Sequence, residues 1–316
     1  MTRPKRNAQG KNLKNILDAK HRISYIRVIG KLTLNQRVQI LSMLVEGSSM
    51  RSISRVVGVS INTVTKLLAE AGEACIDFHD ENVRGLNCKR IECDEIWSFV
   101  YAKEKNVEYA KKAPTFAGDV WTWTSICADS KLICNWFIGG RDADYAKLVM
   151  DDLADRLNNR VQLTTDGHKA YLNTIENAFG DEIDYAQLVK LYGAAPENAK
   201  GRYSPAKCTG IKKTARIGDP EEKLVSTSYA ERHNLTMRMH MRRFTRLTNA
   251  FSNKYESHCH MVALYTVWYN FIRRHKTLKT TPAVAAGLAD APRGFEFIVE
   301  LVEARAPKVG RPKKNT

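Results

Sequence analysis

Three acidic residues, Asp94, Asp166 and Glu231, are of a type and placement that could do chemistry together. Asp94 lies in the run Arg90-Ile91-Glu92-Cys93-Asp94-Glu95-Ile96-Trp97-Ser98-Phe99-Val100, which reads as a strand. Asp166 ends a second such run, Val161-Gln162-Leu163-Thr164-Thr165-Asp166-Gly167, and Glu231 opens the basic helical stretch Tyr229-Ala230-Glu231-Arg232-His233-Asn234-Leu235. Carboxylates delivered from two strands and a helix are what a two-metal phosphoryl-transfer site needs. Mg²⁺ takes a few carboxylate oxygens together with water and phosphate oxygens, and two such ions clamp the attacking and leaving oxygens of an in-line displacement. Each acid also has a structural alternative. Asp94 could sit at a strand edge, Asp166 could begin an Asp-Gly turn, and Ser228-Tyr229-Ala230-Glu231 fits a capping box with Ser228 as N-cap and Glu231 at N3. Their joint placement favours the site. Glu95 adjoins Asp94, but strand alternation puts it on the opposite face, so it is not counted.

The elements that must position these acids follow from periodicity. Strands are expected over Ile91–Tyr101, Val120–Ala128, Leu132–Ile138, Val161–Thr165 and Tyr185–Leu191, with helices after Asp142 and over Gly167–Phe179. A helix over Ser226–Thr245 would carry Glu231, with Arg238 and Arg242 on its face, seven and eleven positions on. A last long helix is expected from Tyr255 to His275. This order suits an α/β ribonuclease H-like catalytic core, although unrelated folds share it. Ahead of it, Val38, Leu41, Leu44 and Val45 mark a first helix stopped at Gly47, and a second short helix ends at Val57. Gly58-Val59-Ser60 is a turn, and Ser60 caps a polar-faced third helix. Short helix, Gly-containing turn and polar helix predict an N-terminal all-α helix-turn-helix domain, with Asn62, Thr63 and Lys66 as candidate DNA contacts.

The expected organisation is a basic arm over 1–31, the helix-turn-helix over 32–72, a linker helix over 73–87 and the catalytic domain over 88–250. A helical extension over 251–305 and a basic tail over 306–316 follow. Residues 193–226, rich in Gly, Pro and Lys, read as an irregular basic insertion facing DNA. The 316 residues include 50 Lys and Arg against 34 Asp and Glu, a net charge of +16. Such an excess favours polyanions through counterion release. No run reaches the ~20 apolar residues of a membrane span, and no apolar stretch follows the N-terminus as in a secretory signal. Seven cysteines without paired spacing suggest reduced thiols and a cytoplasmic, nucleoid-associated location. Cys88, Cys93 and His258-Cys259-His260 do not form a four-ligand zinc set. His168 and His233 neighbour the acids, and Trp97, Trp121, Trp123 and Trp136 read as core. Gly310-Arg311-Pro312-Lys313-Lys314 is similar to a minor-groove hook, which makes Arg311 a further candidate contact.

The segments Asp94-Glu95-Ile96-Trp97, Thr165-Asp166-Gly167-His168-Lys169-Ala170-Tyr171 and Glu231-Arg232-His233-Asn234-Leu235-Thr236-Met237-Arg238 resemble bacterial insertion-sequence transposases of the DDE class. So does Arg242-Arg243-Phe244-Thr245-Arg246-Leu247-Thr248-Asn249-Ala250-Phe251-Ser252. The family of insertion sequence one is the nearest in pattern, and the resemblance runs over roughly 88–290. It implies that Asp94, Asp166 and Glu231 hold two Mg²⁺ ions, for which Mn²⁺ can substitute. It also implies that water or a DNA 3′-hydroxyl attacks a phosphodiester without a covalent protein intermediate. The implied partners are double-stranded DNA, as inverted-repeat ends and as target, and at least a second copy of the chain. Family members often begin with a zinc-binding module; no Cys-x-x-Cys pair is present, which leaves the helix-turn-helix to recognise the ends. Two rival readings are a DNA-binding regulator with an inactive core and a structure-selective nuclease.

Overall fold

A computed structural model describes residues 32–193, 208–245 and 249–305. Among the described residues, three helices come first. Helix α1 (Leu34–Val45) starts from a Thr33–Gln36 capping box and buries Ile40, Leu41, Leu44 and Val45. Helix α2 (Met50–Val57) is capped by Ser49 and ends at Gly58 in the left-handed region. Helix α3 (Ile61–Asn82) is capped by Ser60, whose Oγ accepts the Thr63 amide at 3.1 Å. It does not stop near residue 72, as the expected linker helix required; it continues through Gly72 to Asn82. Gly72 is there for close packing. A Cβ at this position would lie 2.3 Å from the Cβ of His260, on a helix that crosses α3.

The remaining elements are β1 (Arg90–Val100), α4 (Glu104–Val107), β2 (Gly118–Cys127), β3 (Ile133–Gly139) and α5 (Ala143–Arg156). Next come β4 (Gln162–Thr165), α6 (Ala170–Phe179), β5 (Asp184–Tyr192), β6 (Cys208–Ile217) and α7 (Ser228–His240). The chain continues through α8 (Tyr255–Val267), α9 (Pro282–Ala285) and α10 (Glu296–Arg305). One mixed sheet has the order β3-β2-β1-β4-β5-β6. β2 is antiparallel to both β1 and β3, β4 and β5 run parallel to β1, and β6 is antiparallel to β5. This mixed α/β sheet with its crossover helices is consistent with a ribonuclease H-like core.

Three further expectations are corrected. Cys208–Ile217, inside the supposed irregular insertion, is the edge strand β6. Its residues are half-buried or exposed throughout, so it lacks the alternation that signals a half-buried strand. The helix bearing Glu231 ends at His240; Met241 is extended, and a single 3₁₀ turn, Arg242–Phe244, follows. Arg242 therefore does not continue the face of Glu231. The last long helix changes to a π turn at Trp268–Ile272 and stops short of His275. There Asn270, fully buried, accepts the Ile133 amide at 2.9 Å and donates to the Ile133 carbonyl at 2.9 Å, tying the turn to β3. One large apolar cluster runs from Ile40 through the sheet to Val302, and Ala186, Leu188 and Val225 form a small separate one. No described helix is long and apolar enough to cross a membrane.

Candidate active site

β1 and β4 pair in parallel as far as Cys93 and Thr165, so Asp94 and Asp166 emerge side by side where β4 ends. Asp94 is half-buried. Its Oδ1 accepts its neighbour's amide, Glu95 N, at 2.8 Å, and its Oδ2 accepts Asn234 Nδ2 from α7 at 2.8 Å. Asp166 Oδ1 accepts the His168 amide at 2.9 Å, an Asx turn that aims the carboxylate, and Oδ2 lies 3.4 Å from Arg141 Nη2.

Glu95 belongs to the same group. Asp94, Glu95 and Asp166 each offer an oxygen, all within 4.8 Å of one another. The strand-face argument against Glu95 fails for a local reason. Beyond Thr165 no strand among the described residues continues the pairing with β1 on that side, so carboxyls from both of its faces reach Asp166. The Glu95 side chain is fully buried; it accepts Arg141 Nε at 3.0 Å and the Tyr171 hydroxyl. Arg141 in turn stacks 4.6 Å over the Trp121 ring.

Glu231 stands apart from this group of three. Both of its oxygens lie 2.5 Å from Lys190 Nζ on β5, and Oε1 also accepts the Thr227 hydroxyl at 2.7 Å. It shares α7 with Asn234, which binds Asp94, and its charge, with that of Asp166, acts on Asp94. Burial pushes the Asp94 carboxyl up to about 6, and these two charges add to the rise. Burial, then the Asp166 charge, pushes Glu95 up to about 7. The capping box is not formed. Thr227 is the N-cap and makes no side-chain cap bond. The first amides of α7 are taken instead by Glu92 of β1, whose Oε2 accepts Tyr229 N at 2.7 Å and Ala230 N at 3.0 Å. A buried carboxylate at a helix N-terminus both satisfies those donors and complements the dipole.

The other candidates are dispersed. Asn62 is exposed on the first turn of α3, and Thr63 and Lys66 are partly buried beside it. Thr63 is engaged with Ser60, their hydroxyls 2.9 Å apart. Arg238 is half-buried near the end of α7, and Arg242 is exposed on the 3₁₀ turn. Arg243 turns inward, 3.0 Å from Ser252 Oγ. Arg311 lies outside the described residues, as do 1–31, 194–207 and the tail. His168 is half-buried beside Asp166. His233 is fully buried against Tyr269, ring centroids 4.9 Å apart, and burial drives its pKa down to about 3, so it is a neutral core residue. His258 bridges Ser98 and Ser252 at 3.2 and 3.1 Å. Trp123 and Trp136 are buried, Trp97 and Trp121 half-buried.

Asn234, Arg141 and Lys190 are contacts that sequence reasoning missed. Asn234 lay within a quoted motif, three positions after Glu231, where a helix brings it to the same side. The donor set Asp94, Glu95 and Asp166, all carboxylate, fits a hard divalent cation.

No family model matches the chain, and no curated protein does. Among solved structures it is similar to the piggyBac transposase synaptic complex with hairpin DNA. The TM-score there is 0.37 at 10% identity, covering 93% of this chain and 78% of that one. It is also similar to the Mos1 transposase paired-end complex with left transposon end (TM-score 0.20, 10% identity, 53% of this chain and 64% of that one). A pre-cleavage Mos1 transpososome gives a TM-score of 0.20 at 9% identity, over 56% of this chain and 66% of that one. Scores this low assign the chain no function.

Proposed function

We propose that this chain is a DDE-class DNA transposase, a metal-dependent polynucleotidyl transferase that cuts the ends of a mobile element and joins its 3′ ends to target DNA. The observation that carries the reading is the meeting of Asp94 and Asp166 at the end of the β1–β4 pair, beside the helix α7 that bears Glu231 and binds Asp94 through Asn234, in a chain of net charge +16. Asp94, Asp166 and Glu231 would hold divalent ions, with Glu95 beside them. Bound Mg²⁺ or Mn²⁺ would supply activation of the attacking hydroxyl and neutralise charge on the leaving oxygen.

The chain's own groups do the rest. Asn234 orients the Asp94 carboxylate, and the His168 amide orients Asp166. Arg141 balances the charges of Glu95 and Asp166, and Lys190 balances Glu231. The helices α1–α3 form the end-recognition module, with Asn62, Thr63 and Lys66 at its reading helix, and Arg238, Arg242 and Arg311 contact phosphates. Two ends imply at least two copies in the assembled complex.

Cleavage of a labelled inverted-repeat end tests the reading. Asp94→Asn and Asp166→Asn should each lower cleavage by at least about a hundredfold and leave end binding unchanged in a gel shift. Normal cleavage by either variant refutes the assignment. Retained binding with no cleavage by the wild-type chain in Mg²⁺ or Mn²⁺ would favour a regulator with an inactive core.

A further inference from the structure

The module proposed to read DNA is not attached as a tethered domain. Helix α3 begins with the reading turn at Ser60 and runs unbroken for 22 residues, about 33 Å, into the body of the protein. At its midpoint Gly72 presses backbone to backbone on α8; a Cβ there would lie 2.5 Å from the His260 Cα. Further along, Phe78 meets the edges of Phe271 and Phe297, each with ring centroids 5.0 Å apart.

The connection from α3 to β1 is fastened as well. Arg156, almost fully buried, donates to the Val83 carbonyl at 2.8 Å and to Asp80 at 2.9 Å. Leu86 N donates to the Arg156 carbonyl at 2.8 Å, and Asn158 N to the Leu86 carbonyl at 3.0 Å. No stretch between the module and the sheet is left to act as a hinge.

A second bridge passes through α7. At its C-terminal end the Met239 carbonyl would stand 3.1 Å from a Cβ on Gly47, in the turn between α1 and α2. His240 Nδ1 lies 3.0 Å from the Val45 carbonyl and donates to it. Six residues earlier on the same helix, Asn234 holds Asp94. At 1.5 Å per residue that is about 9 Å along a rigid rod.

We infer that α1–α3 and the catalytic sheet are one rigid body, so that the protein cuts DNA at a distance set by its own structure from the sequence it reads. This rests on the function proposed above, since it takes α1–α3 as the reading module and the acids as the cutting site. A tethered module would let the cutting site find its phosphate across variable spacing. A rigid one carries the phosphate away from the acids when base pairs are inserted. Five inserted pairs move it by about 17 Å and about half a helical turn.

The test uses the full chain and labelled ends with none, five or ten base pairs inserted between the footprinted segment and the cut. Cleavage at the original phosphate should fall at least about tenfold with five, because misplacement of this size defeats alignment. It should not recover with ten, which restores the face but not the distance. Cleavage within about twofold of the uninserted end at both lengths would overturn the rigid-body inference. Absence of cleavage on the uninserted end would instead overturn the functional reading beneath it. A DNA-free measurement decides the rigid body in either case. Hydrogen exchange should show amides of Val64–Leu68 protected to within about tenfold of those of β1. Exchange of α1–α3 about a hundredfold faster, through separate opening, would sink the inference.

Discussion

On the proposed function, Glu231 and its neighbours divide between chemistry and folding. The N-terminus of α7 is satisfied by Glu92, so Glu231 carries no capping duty. Its ion pair with Lys190 is partly solvent-exposed on both sides, and such pairs contribute about 0–1 kcal/mol. Glu231→Gln should therefore abolish cleavage while changing unfolding stability in urea by no more than about 1 kcal/mol. Glu92→Ala should do the reverse for stability, costing about 1–2 kcal/mol, because two helix amides lose their acceptor. If Glu231→Gln cleaves normally, the third acid lies elsewhere, with Glu95 next in line. The raised carboxyls give a pH dependence. Asp94 and Glu95 titrate at about 6 and about 7 in the fold, against ordinary values of 3.8 and 4.5. The stability they contribute is present below about pH 4 and is lost as pH rises through those folded values. Melting temperature in chelator should fall between pH 5 and 8, and Mg²⁺ should restore more of it at pH 8 than at pH 5, because protons compete for the same oxygens. A metal-induced rise independent of pH would mean that these two carboxyls do not bind it. Asp94 and Asp166 were legible in the sequence because each stands in or at the end of a strand-like run. Glu95 was not, since it stands on the opposite face of β1, and only the end of the β1–β4 pairing brings Asp166 within reach of both faces. Arg141 and Lys190 were not, because only the folded sheet brings residues so distant in sequence beside the acids.

Among the elements, those with a buried face announced themselves. β1 to β5 carry β-branched and aromatic residues that the core requires, and their expected bounds agree with the observed ones within a few residues. β6 is an edge strand with no buried residue, so pairing with β5 holds it, and backbone pairing leaves no side-chain period. The continuity of α3 was hidden at Gly72, where the expected boundary between reading helix and linker helix fell and where the glycine instead makes a packing contact. Two glycines separate these roles. Gly72→Ala should cost about 1–3 kcal/mol or more, since its methyl must displace His260 on α8. Gly58→Ala meets nothing within 4 Å but must hold φ +72°, and should cost about 1 kcal/mol. Urea unfolding of both variants checks the order. A Gly72→Ala loss no larger than that of Gly58→Ala would mean that the α3–α8 contact yields easily.

At the scale of the whole molecule, the proposed function gives the opposing charges separate tasks. The net charge of +16 draws a polyanion from any direction, while the carboxylates at the end of the β1–β4 pair repel phosphate unless a cation is bound with them. General affinity and cutting should therefore respond differently to salt. Neutralising an acid removes no phosphate contact, so Asp166→Asn should leave the slope of log K against log salt unchanged. Truncation after Ala306 removes Lys308, Arg311, Lys313 and Lys314, and each that binds a phosphate contributes about 0.9 to that slope. The slope should flatten by up to about 3.6, and equally on element ends and on unrelated DNA, because phosphate contacts carry no sequence information. Arg311 makes the outcome informative. If it reads the minor groove as the Gly310-Arg311-Pro312 pattern suggests, truncation should weaken A·T-rich DNA more than G·C-rich DNA. Titrations at several salt concentrations on both compositions separate the two roles. A slope unchanged by truncation would exclude the tail from phosphate binding, and would leave the body of the protein to supply all of its general affinity.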